Sequence, residues 1–444
     1  MNPAEPERFE ACELEDIADA IKLKFYGRGT HPHEENANEK ILSFRKVKSH
    51  GHFTRETYTV PQLNFGQIMA LAGDFYGIPD NPITLETDRE LGNVTEERKQ
   101  RALAAFNTIA EWKDEEFRKL KQELIHNLSN LKDERTYLEK GVKKKVQKYG
   151  IFSFHALEEL LDTYEESYSE NATKQAVYFE ATKASGRFKR LLETNYDHYQ
   201  PYAKVAYEAL HALALEEAVK ARSKSTPNEK NKILHQAYAL EAFGCNFLGD
   251  SFASGHMRTP RRELSEATKP IAKNGQFLVR KMRDEDNKYG LRVTSKRAKE
   301  KNPHNPYWIA YGNKMLHSLR NQKNFDFVKE AVQVAVDEVF QASQNIGLEI
   351  NIDNSKVFDF IPHIDLTEGK NNTPMFHVCD GKLFRRKNLP DLTCKEAIEL
   401  ECGNDWKSIW KSLWQSVSTL SKLNNSSPTH SVIHSPIEES DDKK

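Results

Sequence analysis

Residues 240–262 read Leu240-Glu241-Ala242-Phe243-Gly244-Cys245-Asn246-Phe247-Leu248-Gly249-Asp250-Ser251-Phe252-Ala253-Ser254-Gly255-His256-Met257-Arg258-Thr259-Pro260-Arg261-Arg262. The pattern is apolar and helical to about Phe252, then Gly255 breaks it and Pro260 stops it. Asp250 is an acid inside an apolar run, and a buried carboxylate is costly unless it is paired or holds a metal. Asn246 stands four residues before it, on the same helix face, and His256 follows just past the helix end. The stretch reads as half of a metal site.

The other half is sought upstream. Asn195-Tyr196-Asp197-His198-Tyr199 precedes Pro201, after which a helix is expected to about Lys220, with Tyr207, Leu210, His211 and Leu215 at helical spacing. A lone histidine on such a face is ordinarily a satisfied core residue. Asp197 at the start of the same helix favours a site. Asp74 lies in the apolar run Ala70-Leu71-Ala72-Gly73-Asp74-Phe75-Tyr76-Gly77 and reads equally as a ligand or as a carboxylate bonded to loop amides. His31 and His33 flank Pro32 in an expected loop and are either ligands or surface histidines.

Further out, apolar spacing predicts helices over 9–26, 62–77, much of 94–148, 152–195, 308–318 and 324–344, and a last one from Trp406 to Val417. Met282 to Leu291 reads as a polar loop followed by an extended piece, its run of acids solvated. Residues 350–400 are rich in loop formers and allow a hairpin. The fold class is therefore mainly α. The expected organisation is a helical metal-binding domain over 1–345 with a charged helical insertion near 110–150. A loop-rich region over 346–423 follows, its final helix packed on the same domain, and then a disordered polar tail over 424–444.

Composition removes several classes. Lys plus Arg is 65 against 66 for Asp plus Glu, which gives no electrostatic case for nucleic acid or for general membrane binding. The five cysteines, at 12, 245, 379, 394 and 402, form no CxxC pair, so neither a zinc finger nor a disulfide framework is indicated. No apolar run is long enough for a transmembrane helix. Met1 to Glu7 has no apolar core of a Sec signal peptide.

The constellation is Asp197, thirteen residues, His211, then Asn246, three residues, Asp250, five residues, His256. Oxygen and imidazole donors suit zinc, and two or three such ions can activate a water and clamp a phosphate. At these residues the sequence resembles the zinc-dependent phospholipase C and P1-nuclease superfamily. There Asp-x13-His is followed by His-xxx-Asp-x5-His on an all-helical core with a trinuclear zinc cluster. Five segments together resemble the Legionella-type phosphatidylcholine-hydrolysing phospholipase C family: Ala70 to Gly77 (ALAGDFYG), Asn195 to Tyr199 (NYDHY), Phe247 to Arg262 (FLGDSFASGHMRTPRR), Asp284 to Asn287 (DEDN) and Trp308 to Gly312 (WIAYG). The likeness spans roughly residues 10 to 420.

The resemblance implies a helical phospholipase C/P1-nuclease-like bundle with two or three zinc ions. The implied reaction converts a phosphatidylcholine-like phospholipid, at a membrane surface, to diacylglycerol and a phosphorylated head group. It implies one zinc site from Asp197, His211 and Asp250, with Asp250 able to bridge to a second site holding His256. Asp74 and His198 are each a ligand or the general base, and His31 is the candidate N-terminal ligand. Arg258 either meets the substrate phosphate or caps its helix. Three positions depart from the pattern: Asn246 and Arg283 stand where histidines are expected, and Asn313 where aspartate is. His235, His304 and His317 are the nearby substitutes, with a surface or core role the plainer reading of each. The departures leave open a degraded homologue acting as a binding or scaffolding protein; a P1-like nuclease is a lesser alternative. The Glu438-Glu439 tail resembles an E-block type IV secretion signal, which implies an effector delivered to host cytoplasm.

Overall fold

The computed structural model describes residues 11–27, 31–47, 62–73, 76–92, 94–110, 191, 194, 196–267, 272–312, 315–316, 318–344, 352–380, 382–400, 415, 418–419 and 431–433. The chain opens with helix α1 (Ala11–Ala18), strands β1 (Lys22–Tyr26), β2 (Pro32–Asn36), β3 (Ile41–Ser43) and β4 (Gln62–Asn64), and helices α2 (Phe65–Leu71) and α3 (Glu96–Ala110). The centre is α4 (Tyr202–Val219) and α5 (Pro227–Asp250), followed by α6 (Ser254–Met257), α7 (Arg261–Ala267) and α8 (Ala272–Tyr289). Next come β5 (Leu291–Thr294), α9 (Lys296–Lys301), β6 (Trp308–Ala310) and α10 (Gln322–Gln344). Short strands β7 (His363–Ile364), β8 (Phe376–Cys379), β9 (Lys382–Arg386) and β10 (Ala397–Leu400) close the described chain. The protein is mainly α-helical, with small antiparallel sheets: β1–β2, β3–β4, β6–β5–β7 and β10–β9–β8.

α5 is the axis of the molecule. Thr226 and Glu229 close a capping box at its start, and Pro227 takes the first turn, where a missing N–H costs nothing. From Ala237 to Asp250 every residue is buried, as a helix apolar on all sides demands. α4, α10 and α2 pack around it, with α1 on α2 and α3 on α4. α10 contributes Phe327, Val328, Ala331, Val332, Ala335, Val336 and Val339, a stripe at helical spacing. Each buried valine or phenylalanine of the stripe contributes about 1.5–3 kcal/mol, the alanines less. A second, smaller core joins Leu264, Leu278 and Met282 to Phe376, Leu383 and Leu400 of the C-terminal sheet. Among the described residues no helix is long and apolar enough to cross a membrane.

The expected helices over 202–220 and 324–344 and the loop-rich 350–400 region match these elements. Four expectations are corrected. The first helix stops at Ala18, because Leu23 and Phe25 alternate with Lys22, Lys24 and Tyr26 and make β1, which pairs with β2. The second begins at Phe65 rather than Gln62, since Asn64 and Gln67 form a capping box there. Trp308 to Ala310 is a strand on β5, not a helix. Met282 to Tyr289 belongs to α8, and its acids are not solvated. Asp286 is 2 % exposed and meets Arg258; Glu285 takes both terminal nitrogens of Arg386 at 2.9 and 2.7 Å. The charged stretch 111–150, the helices expected between 152 and 190, most of the last helix and nearly all of the tail lie outside the described residues.

Candidate active site

The turn Tyr196–Gln200 and the turn after α5 are laced together. Gln200 donates its backbone N–H to the His256 carbonyl at 2.9 Å and its side-chain amide to Ser251 Oγ at 2.7 Å. This sets His198 over the end of α5. Its Nδ1 hydrogen-bonds Asp250 Oδ2, and its ring lies against Phe247 with centroids 4.9 Å apart. The other carboxylate oxygen of Asp250 is 3.1 Å from His256 Nδ1. His256 is held between this contact and the Tyr199 ring, centroids 4.5 Å apart. His198, Asp250 and His256 are all buried. Burial pushes the Asp250 carboxyl up, but the two histidines outweigh it and hold it well below the usual carboxylate range. Burial pushes His256 down; Asp250 opposes this, and Arg283 and His198 add to it, leaving the imidazole below its ordinary value.

Other segments complete the walls. Asn246, one turn before Asp250, gives its amide N–H to Met69 O at 2.8 Å, while its buried Oδ1 has no hydrogen-bond partner among the described residues. Gly73 turns away from α2 at φ +80°, and a Cβ there would lie 2.2 Å from His198 Nε2 and 3.2 Å from Asn246 Oδ1. Only glycine meets both demands. The Gly255 N–H donates to Asn287 Oδ1 at 2.7 Å, and Ser254 Oγ to the Asp286 carbonyl at 2.8 Å. On its other side Asn287 meets Gly312, whose N–H bonds its carbonyl at 3.3 Å and whose Cβ would strike its side chain. Arg283 runs past Gly255 on the way to Asp284, 3.2 Å from Arg283 Nη2.

The expected residues divide accordingly. The structure brings His198, Asp250 and His256 together, along with the two departures Asn246 and Arg283. Asp74 and Asn313 lie outside the described residues, each directly after a glycine of this cluster. The set Asp197, His211 and Asp250 is not assembled. Asp197 accepts Ile83 N–H at 2.6 Å, Thr84 N–H at 3.0 Å and Thr84 Oγ1 at 2.5 Å, so it anchors the 83–92 strap. His211 sits between Glu241 (2.7 Å at Nδ1) and Glu338 (3.0 Å at Nε2). Glu241 is nine residues from Asp250, about 13.5 Å along α5. His31 is exposed directly before β2 in the β1–β2 hairpin, which is tied to the opposite end of α5 where Tyr26 N–H bonds Asn231 Oδ1 at 2.8 Å. Arg258 is the C-cap residue of α6, as one of the two expectations had it, but its side chain turns away from that helix. Its guanidinium is bidentate on Asp286 at 2.9 and 2.6 Å and donates to the Asn372 carbonyl at 2.7 Å.

Sequence reasoning passed over the second cluster. Tyr207 OH donates to Glu241 Oε1 at 3.0 Å, and Ser355 Oγ and Lys356 N–H each bond Glu338 at 2.7 Å. Burial opposes the charge on His211, but the carboxylates outweigh it and raise its pKa to about 10. The signal was present: Glu241 is an acid in an apolar run, as Asp250 is.

Among the described residues no three His, Cys, Asp or Glu side chains are arranged to hold a metal ion. The donor chemistry agrees for a trinuclear cluster. Both Asp250 oxygens face imidazoles, Asn246 offers an amide oxygen in place of an imidazole, and Arg283 adds positive charge beside His256. The three-ion arrangement does not fit this set. No family model, no curated protein and no solved structure matches the chain.

Proposed function

We propose that this chain is a phosphodiesterase of the phospholipase C type, cleaving a phosphatidylcholine-like phospholipid to diacylglycerol and a phosphorylated head group. One observation supports the reading. The five segments that carry the resemblance, scattered between Ala70 and Gly312, meet at one place through Gly73, His198, Asp250 with His256, Asn287 and Gly312. Segments with only local roles would have no reason to converge.

The chemistry asked of the residues is general acid–base transfer. Asp250 stays ionised, hydrogen-bonds His198 Nδ1 and lies 3.1 Å from His256 Nδ1, so proton transfer is asked of Nε2 in each ring, that of His198 lying against Gly73. The oxygen of a water adds to phosphorus while one imidazole takes its proton. The bond from phosphorus to the glycerol oxygen breaks, and His198, entering the step as the imidazolium, gives its Nε2 proton to that oxygen and is left neutral. His256, held below its ordinary value, is the base in this scheme. Arg283 supplies positive charge to the phosphate. On this donor set we expect fewer than three bound zinc ions.

Release of phosphocholine from dispersed phosphatidylcholine tests the reading, with single-stranded DNA as the comparison substrate and zinc content measured on protein purified without chelator. The expected result is lipid hydrolysis that His256→Ala abolishes. A folded wild type that releases nothing overturns it.

A second reading, a binding protein on the same scaffold, is favoured by Asn246 and Arg283, which replace the two expected histidines at the cluster itself. Under it the wild type is inactive, and the double change Asn246→His with Arg283→His gains zinc.

A further inference from the structure

We infer that the end of the small β6–β5–β7 sheet nearest His256 is a docking surface for a phospholipid bilayer containing anionic lipid. Two leucines carry the argument. Leu319 is 90 % exposed and Leu366 is 91 % exposed, the two most exposed large hydrophobic side chains among the described residues. A leucine this far out of a fold gains nothing from the protein itself.

Both come off one end of the sheet. Leu291, the first residue of β5, pairs with Ala310, and the next residue, Tyr311, bonds Asn321 Oδ1 at 3.1 Å in the turn that carries Leu319. On the other edge β7 runs antiparallel to β5, and Asp365 N–H continues the ladder to the Arg292 carbonyl, which leaves Leu366 level with Leu291. β6 and β7, the strands that precede the two leucines, therefore flank β5, about 10 Å apart.

Both loops are fastened to the candidate site. The first leads from Gly312, which touches Asn287 behind Gly255 and His256. The second is held by Asn371, whose side-chain amide bonds the carbonyls of Arg292 and Asp365, each at 3.0 Å. Asn372, next along, accepts Arg258 two residues beyond His256. Exposed Arg320 follows Leu319 directly, exposed Lys370 stands four residues after Leu366 and exposed Lys288 three before Leu291, whereas Asp365 is buried on Arg292 and Glu368 is paired with Lys395. Apolar tips among basic side chains complement a bilayer with negative surface charge. The inference rests on the phospholipid reading only in its choice of lipid.

The test is sedimentation of the full chain with vesicles of phosphatidylcholine alone or with a minor share of phosphatidylserine. Hydrolysis is followed separately on short-chain lipid below its micelle concentration. Leu319→Asp with Leu366→Asp is expected to weaken binding by roughly tenfold or more per leucine. Leu85→Asp, at another exposed leucine, leaves binding unchanged. Lys288→Glu, Arg320→Glu and Lys370→Glu together abolish the preference for phosphatidylserine vesicles, and salt does the same to the wild type. Binding that depends on the two leucines supports the surface even where no lipid is cleaved, in which case only the proposed reaction falls. A wild type that stays in solution with both vesicles, or a double leucine variant that binds as the wild type does, overturns the surface whatever the hydrolysis shows.

Discussion

Two clusters on one helix use the same residue types in inverse proportion. At the end of α5 one carboxylate, Asp250, lies between two imidazoles. Nine residues earlier one imidazole, His211, lies between two carboxylates, Glu241 and Glu338. Both are buried. In the first, the carboxylate is held low and His256 falls below its ordinary value, so a neutral imidazole is present near neutral pH. In the second, the imidazole is fixed as a cation whose two N–H groups both donate. Stoichiometry alone turns one set of groups toward proton exchange and the other toward a static ion cluster. The second cluster joins α4, α5 and α10 to the turn at Ser355, and nothing about it calls for a substrate.

Removing the central member of each cluster gives the sharpest contrast. His211→Ala leaves two carboxylates facing each other in the core, and we expect a loss of about 3–5 kcal/mol in urea unfolding. An unfolding midpoint close to the wild type's would break the distinction. The pH dependence follows next in size. The folded pKa of His211 lies above its unfolded one, so its contribution is complete below about pH 6.5 and drains away as pH rises toward about 10. Asp250 has the opposite sign: its contribution is present above the ordinary aspartate value and is lost in acid. Midpoints measured from acid to alkali are expected to fall at both ends, and His211→Gln is expected to abolish the alkaline fall only.

Asp250→Asn is the matching change at the other cluster. We expect lipid hydrolysis to drop by roughly 100-fold or more, since the uncharged amide no longer holds both rings. Full activity in this variant would remove the cluster from the chemistry. The smallest effect is at the edge of the static cluster. Ser355→Ala deletes one hydrogen bond to Glu338 and is expected to cost about 1 kcal/mol, read as a small shift in the urea midpoint with hydrolysis unchanged.

How far the sequence discloses this contrast depends on where the partners lie. The long helices α4, α5 and α10 are legible because their burial follows their own spacing, as the stripe from Phe327 to Val339 does. The misplaced elements are those decided from elsewhere. α8 reads as a polar loop because Asp286 and Glu285 are neutralised by Arg258, 28 positions back, and Arg386, 101 positions on. β1 is hidden because Ile21 satisfies both the helix ending at Ala18 and the strand that follows. At the site, Asp250 and His256 are legible as an acid and an imidazole where neither is cheap to bury. Spacing misleads at Asp197 and His211. Each meets partners of its own, the strap amides at 83 and 84 and Glu338, and no fixed interval from Asp250 encodes those.

α5 carries Glu241 and Asp250 nine residues apart, and at about 100° per residue they project from opposite sides of the rod. A turn of α5 about its own axis that eased His211 on one flank would pull Asp250 away from His198 and His256 on the other. The helix is thus keyed like a shaft with a slot on each side, and its angular setting is fixed twice over. Substitutions anywhere along α5 that demand a twist will be felt at both slots together.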